Sequence, residues 1–524
     1  MHDASTRLVE SAAPRLWSRG RERALAVGLA VALTLLRSAV FVLFEGAHFD
    51  SDQALLGLMA KHLVEGRAFP VFTYGQPYML GVEAWMAAPF FVLGGATVPM
   101  LTLPLVLVNA AVAGLLVWCL ERAGGLRPAV ALVPALFFVL TPPGTATLLL
   151  QASGGNVEPF LMVLVLWILR RRPLAFGAAL ALGVLQREFT IFALGALAVL
   201  RLADRSLFTL AHWRSVAAGA VSFGAVWQGI YLLKQFSSID GPGTAVDRIL
   251  PETGANVSAV IQRVCFDLAL LPRDLSTVAT THLATLFGGM RRPLAEYEIN
   301  STLSQGVDGL GLLLGGAMLL AFGRTVWLAI RHRVRPWHAP LEFGTCLWLV
   351  GVQTLAAYGM LRCGAIGTGT LRYSLLGLFG AIGLMAAYLR LEPRRALKGA
   401  AVAVTLVWAA AMAGDHVRLA REYVSHRPVH ARRLLADHLV QRGIRFAYAD
   451  FWDAYAVTFL SNERVIVAST NVVFLREYQW LVAERSDEAV WIRHDPCSGG
   501  TRIVDGLYVC PPGVGDAGGN GGAR

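Results

Sequence analysis

The chain has 524 residues, of which 55% are hydrophobic and 15% charged, with a formal net charge of +11 and a mean hydropathy of +0.54. That is far more apolar surface than one water-soluble core can bury, so the composition excludes an ordinary globular protein and points to a polytopic membrane protein. The basic excess does not point to nucleic acid, because the arginines stand in short clusters between apolar runs and form no single basic face.

Residues 1–22 read as a cytoplasmic segment. Arg15, Arg19, Arg21 and Arg23 precede an apolar run over 23–44 that is too long for the apolar core of a cleaved signal peptide, so it is expected to be a signal anchor with its N-terminus inside. As it ends, an acidic pair appears in FDSDQALLGLMAKHLVEG: Asp50 and Asp52, separated by Ser51. Leu55, Leu56, Met59 and Leu63 fall on one face at helical spacing, with Lys61 and Glu65 opposite. Residues 52–65 are therefore expected to form a helix lying in the membrane interface. A second such helix is expected over 78–94, which carries Glu83 and is bounded by Pro77 and Gly94-Gly95. The first outer loop thus spans 45–97.

Residues 98–120 return to Arg122 and Arg127. Two further pairs of spans turn around at polar breaks, near Gly154-Gly155-Asn156 and at Gln186-Arg187-Glu188, where polar residues would otherwise sit in lipid at a cost of several kcal/mol. Residues 214–233 lead out, 306–330 return, 340–361 lead out, 373–390 return and 396–414 exit, for about eleven spans in all by the positive-inside rule. A long outer loop covers 234–305. Arg37, inside the first span, is expected to snorkel outward or to pair with an outer acid. From 415 the pattern becomes that of a soluble α/β domain ending near 510. It has a helix near 430–441, the strand-like IRFAYAD, the helix-like WDAYAVTFL and the strands RVIVAS, AVWIR and RIVDGLYVC. Cys497 and Cys510 can pair in a compartment outside the cytoplasm, and 511–524 read as a flexible tail.

This topology gathers His48, Asp50, Asp52, Gln76, Glu83, Glu158, Arg187, Glu188 and Arg372 at the outer surface. Carboxylates that take a proton from an acceptor hydroxyl, beside arginines that neutralise a departing phosphate, suit group transfer from a lipid-linked phosphate. Simpler structural readings stand beside each. An Asp before a helix is an N-cap, Glu83 is a snorkelling charge, Arg187 with Glu188 is a local ion pair, Arg372 with Tyr373 is an interfacial anchor, and the lone His48 and His282 are structural.

FDSDQALLGLMAKHLVEG, YGQPYMLGVEAW, Arg187 between two short spans and GTLRYSLLG around Arg372 together resemble the GT-C glycosyltransferases. Within these the likeness is to the dolichyl-phosphate-mannose protein mannosyltransferase-like branch, which includes the bacterial aminoarabinose transferases of lipid A. The resemblance covers roughly residues 23–390. It implies an all-α polytopic fold with interfacial helices in the first outer loop, to which this chain adds the small C-terminal α/β domain. It implies an inverting sugar transfer from a polyprenyl-phosphate donor to a glycan, lipid or protein acceptor, at the outer face of a bacterial cytoplasmic membrane. Asp50 and Asp52 match the acidic motif of the first loop, with the choice of base open between them. Arg187 and Arg372, with Gln76, match donor-phosphate positions, and Glu158, with Glu83 and Glu188, matches acceptor or metal assistance. Asp52 and Glu158 are the candidate ligands of a divalent metal. The rival readings are a lipid-linked oligosaccharide ligase or polymerase, and a transporter. A transporter is disfavoured because internal repeats and midplane charges are missing.

Overall fold

The computed structural model describes residues 19–44, 49–235, 266–288, 309–361, 368–504 and 506–512. His48, most of the long outer loop and the last residues of the chain therefore lie outside the described residues.

Helices occupy the stretches that hydropathy marks. α1 (Arg19–Phe44) leads to α2 (Ser51–Val64), a short hairpin of β1 (Phe72–Thr73) and β2 (Gln76–Leu80), and α3 (Val82–Gly94). The bundle continues with α4 (Val98–Arg122), α5 (Pro128–Val139), α6 (Pro143–Leu148), α7 (Glu158–Leu169), α8 (Pro173–Gln186), α9 (Ile191–Ala203) and α10 (Leu210–Gln235). After α11 (Leu271–Thr277) come α12 (Gly309–Arg331), α13 (Glu342–Met360), α14 (Leu378–Leu391) and α15 (Arg395–Ser425). Among the described residues, seven helices are long and apolar enough to cross a membrane; Val82–Gly94, Pro128–Val139, Glu158–Leu169 and Pro173–Gln186 are apolar but shorter. The short ones are tolerable because they pack on neighbours: α3 on α2 and α4, α5 on α1 and α4, α7 on α4 and α8, and α8 on α10.

The breaks fall where the polar residues stand. Between α8 and α9 the chain leaves the helix at Arg187, whose backbone is extended (φ −157°, ψ 125°), and re-enters through a single 3₁₀ turn, Glu188–Thr190. Between α5 and α6, Pro142 leaves carbonyls without helical donors. Arg37 answers them. It is 2% exposed, donates to the Phe138 carbonyl, and reaches Thr141 Oγ1 at 2.7 Å and Asn109 Oδ1 at 2.7 Å. It neither snorkels nor meets an outer acid: the broken helix beside it supplies neutral acceptors inside the bundle.

The C-terminal part is a mixed five-stranded sheet in the order β4-β3-β5-β7-β6, formed by β3 (Phe446–Ala449), β4 (Ile466–Ser469), β5 (Val490–Arg493), β6 (Thr501–Val504) and β7 (Leu507–Cys510). β3 pairs in parallel with both β4 and β5, and β7 is antiparallel to β5 and β6. The segment RIVDGLYVC, expected as one strand, is thus a hairpin turning through Gly506 (φ 70°). Helices α16 (Ala431–Gln441), α17 (Phe451–Leu460) and α18 (Arg476–Ala483) accompany the sheet, α18 being one that the hydropathy pattern did not mark. Cys497 and Cys510 form the expected disulfide.

One packing relation changes the sequence picture of the first loop. α2 was expected to lie on the membrane with Lys61 facing water, yet it is buried nearly all round, Lys61 being 8% exposed. α17 and α3 both pack against it, so the α/β unit covers the face that carries Lys61 and His62. Those polar side chains are satisfied by Glu463 of the covering unit rather than by solvent.

Candidate active site

Asp50 is the N-cap of α2. Its backbone is extended (φ −126°, ψ 179°) and its Oδ1 accepts the Gln53 amide at 3.1 Å, as the orphan N–H groups of a first helical turn require. Burial, and then the charge of Asp52, push its carboxyl up to about 6, against the opposing pull of the Gln53 amide and Arg432. Asp52 stands in the first turn and accepts Arg372 Nη1 on Oδ2 at 3.1 Å. The two acids therefore occupy different settings.

Arg372 comes from a 3₁₀ segment, Thr368–Gly377, that enters α14. Its Nη2 reaches the Tyr373 hydroxyl at 3.4 Å and its Cζ lies 5.3 Å from that ring's centroid. Arg187 approaches the same ring from the α8–α9 break, Cζ to centroid 5.8 Å, and also sits over Phe189 at 5.2 Å. Tyr373 is further stacked on Tyr358 of α13 at 5.7 Å and edge-on to Phe189 at 5.8 Å. An aromatic group thus separates two guanidiniums. Among the described residues, the Nε atoms of both arginines are buried without an acceptor, so each keeps donor capacity for a group from outside the chain.

Behind Arg187 lies a second pair of carboxyls. Glu83, in the first turn of α3, accepts the Gly154 and Gly155 amides at 2.9 and 2.7 Å. Gly154 and Gly155 have φ of 82° and 98°, the left-handed region that glycine enters without penalty, and this aims both amides at one carboxylate. Glu158 begins α7 and neighbours both Glu83 and Arg187. Burial, and then Glu158, raise Glu83 well above the usual carboxylate range. Both carboxylate oxygens of Glu158 are themselves buried and, among the described residues, accept no hydrogen bond. Met79 of β2 completes this side, its sulfur 3.3 Å from Arg187 Nη1.

The structure brings Asp52 to Arg372, Arg372 to Arg187 through Tyr373, and Arg187 to Glu158, which neighbours Glu83. Gln76 opens β2 opposite Thr73 and is half-buried; among the described residues no hydrogen bond joins it to these groups. Glu188 is exposed and, among the described residues, makes no ion pair with Arg187. His282 is a buried structural histidine, its Nδ1 2.7 Å from Ser374 Oγ and its ring stacked on Tyr358. Sequence reasoning marked Tyr373 only as an interfacial anchor beside Arg372 and Gly154-Gly155 only as a turn, and it did not mark Tyr358.

Asp52 and Glu158, the residues named for a divalent metal, belong to no group of three metal-capable side chains among the described residues; Asp52 Oδ2 accepts Arg372 Nη1, and both Glu158 oxygens are buried without a hydrogen bond. Among the described residues, metal-capable side chains gather in a group of three at Asp450, Asp453 and His494 instead. There Asp453 Oδ1 accepts Arg432 Nε at 2.8 Å and its Oδ2 meets His494 Nε2 at 2.8 Å. Asp450 caps α17 through the Asp453 amide. The ligand atoms are spent on an ion-pair network with a guanidinium inside it.

No family model and no curated protein matches the sequence. Solved structures do. ArnT from Cupriavidus metallidurans bound to undecaprenyl phosphate superposes with a TM-score of 0.55 at 13% identity, over 93% of this chain and 97% of that one. Its apo state gives 0.55 at 13%, over 93% and 98%. The apo oligosaccharyltransferase of Archaeoglobus fulgidus gives 0.50 at 14%, over 91% of this chain and 70% of that one. At these identities the likeness is one of fold: this chain shares the fold of those structures, here a many-helix membrane bundle with a C-terminal unit carrying a sheet.

Proposed function

We propose that this protein is a membrane glycosyltransferase that moves a sugar from a polyprenyl-phosphate donor to an acceptor hydroxyl on the extracytoplasmic side, with inversion. The observation that carries the reading is the pair of arginines around Tyr373, each with buried donor capacity unspent within the chain. Undecaprenyl phosphate is the ligand named for the ArnT structure that shares this fold, and fold alone does not transfer activity. What supports the transfer here is that a planar guanidinium grips phosphate oxygens at two points.

In this reading the acceptor oxygen attacks the anomeric carbon as the bond to the donor's phosphate oxygen breaks. The acceptor proton passes to Asp50, and polyprenyl phosphate leaves with its new charge against Arg187 and Arg372. Asp50 is the preferred base because its carboxyl, at about 6, titrates near the operating range, where a general base is most effective. Asp52 orients Arg372. Glu158 stands behind Arg187, with Glu83 beside it.

Replacing Arg187 or Arg372 by Gln should weaken binding of polyprenyl phosphate by about tenfold or more, since a charge-assisted bond contributes roughly 1.5–3 kcal/mol. Titration of the purified protein in nanodiscs checks this. Unchanged affinity in both variants would remove the donor-site assignment. Asp52→Asn should raise KM for the donor more than it lowers kcat, because Arg372 then loses its orienting carboxylate.

A further inference from the structure

Ser51, the residue that separates the two acids, is 0% exposed. Its hydroxyl donates to the Trp452 carbonyl at 2.9 Å and accepts the Ala456 amide at 3.1 Å. Those two groups are four residues apart in α17, the pair that helical bonding would otherwise join to each other. A hydroxyl can serve both because it is donor and acceptor at once. The acidic loop is therefore stitched into the hydrogen-bond ladder of a helix some 400 residues away in sequence.

Arg432 of α16 makes the matching contact on the other side of Asp50. Its Nη1 donates to the Phe49 carbonyl at 3.2 Å while its Nε holds Asp453 at 2.8 Å, and its charge acts on Asp50 itself. Between these points the helices meet closely. Phe49 packs on Phe459 at 5.3 Å, and a Cβ at Gly57 would come within 2.6 Å of the Phe459 ring. At the far end of α2, Glu463 receives Lys61, His62 and Arg67, with the Tyr478 hydroxyl at 2.8 Å. Asn462 and Glu463 hold φ of 55° and 58°, a conformation costly outside glycine that persists only when its surroundings enforce it.

We propose that Ser51 and Arg432 are positioning residues, through which the C-terminal α/β unit sets the place of the Asp50 carboxylate and so becomes an integral part of the transfer site. This rests on the function proposed above, and it names what regulates that site: the seating of α17 on the acidic loop. Asp50 has one neighbour tied to α17 and the other tied to α16. A movement of the unit, such as an acceptor bound to it would impose, reaches the base without passing through the membrane bundle. The charged groups that face Asp50 are Asp52 on its own helix and Arg432 from the unit.

The test uses the full chain in nanodiscs, with Ser51→Ala, Arg432→Gln, Arg432→Lys and Gly57→Ala. Ser51→Ala and Gly57→Ala should lower kcat by about tenfold or more, as an ångström-scale misplacement of a catalytic group does, while KM for the donor stays within about twofold. Arg432→Gln should lower kcat and move the acid limb of the pH–rate profile upward, because a cation facing Asp50 is gone. Arg432→Lys should return the limb toward its original position without restoring kcat in full. Wild-type kcat and an unmoved limb in both Ser51→Ala and Arg432→Gln would overturn the proposal. Hydrogen exchange at the amides of Gln53–Leu56 reads the seating without any turnover. Faster exchange in the variants supports it and unchanged exchange overturns it, even if the wild type transfers no sugar and the functional reading itself fails.

Discussion

Asp50 and Asp52 carry equal formal charge two positions apart, and their surroundings divide the work between them. With a carboxyl at about 6, Asp50 gives an acid limb to the rate: transfer should rise as pH passes upward through about 6 and level off above it, as initial rates between pH 4.5 and 8 would register. The same shift has a stability sign. The folded value lies above the unfolded one of 3.8, so the fold binds the proton more tightly and its stability falls as pH rises from about 4 to about 6, staying lower beyond. Asp50→Asn should then unfold at a higher temperature than wild type at neutral pH while losing activity, a separation that calorimetry and turnover measure together. The acids were legible in sequence because charge at the end of a long apolar run is rare. Their division of labour was not, since it depends on Arg372, 320 residues further on. Arg37 makes the same point: a cation inside a span signals an unusual environment, but its acceptors come from a helix break that periodicity does not locate.

Among elements, the breaks are as informative as the helices. The α8–α9 interruption was readable from Gln186-Arg187-Glu188, because three polar residues in succession cannot remain in a continuous lipid-facing helix. Which of the three matters was not readable. Arg187 turns inward over Tyr373 and Phe189, whereas Glu188 faces outward, and that choice follows from a local backbone turn. The Gly154-Gly155 turn shows how such a break is stabilised. Its two amides converge on Glu83, and Glu83→Ala would leave both buried without an acceptor, a loss of about 1–3 kcal/mol for each. The amides donate to different oxygens, so Glu83→Gln keeps an acceptor for one and turns an NH2 group toward the other; it should recover about one of the two bonds, and thermal unfolding of the two variants compares them. α2 was legible as a helix, from the Asp cap and the spacing of its leucines. Its burial was not, because the covering face belongs to a unit that begins far downstream.

For the whole molecule, composition and charge clusters were enough to indicate a many-helix membrane protein with a separate α/β end, and the short motifs of the first loop were enough to suggest the GT-C fold. The seam between bundle and α/β end was beyond them, since nothing local in Ser51 or Gly57 announces a partner. His494 pairs with Asp450 and Asp453 inside the α/β unit and gives the unit's side of that seam a pH dependence. Its hydrogen bond to Asp453 raises it to about 9 from 6.5. A raised histidine contributes stability that is fully present below about 6.5 and lost as pH rises through about 9. Loosening of α17 within the α/β unit, followed by hydrogen exchange at Phe451–Leu460, should therefore grow above pH 9 in the wild type and be already elevated at pH 7 in His494→Ala. The account as a whole stands on Asp50 acting at a lipid-linked sugar. Its most direct test follows release of polyprenyl phosphate from a labelled polyprenyl-phosphate sugar by the purified chain with acceptor glycolipids present, comparing wild type with Asp50→Asn. The account expects steady release by the wild type and a loss of about a hundredfold or more in the variant; release by Asp50→Asn at the wild-type rate would contradict it.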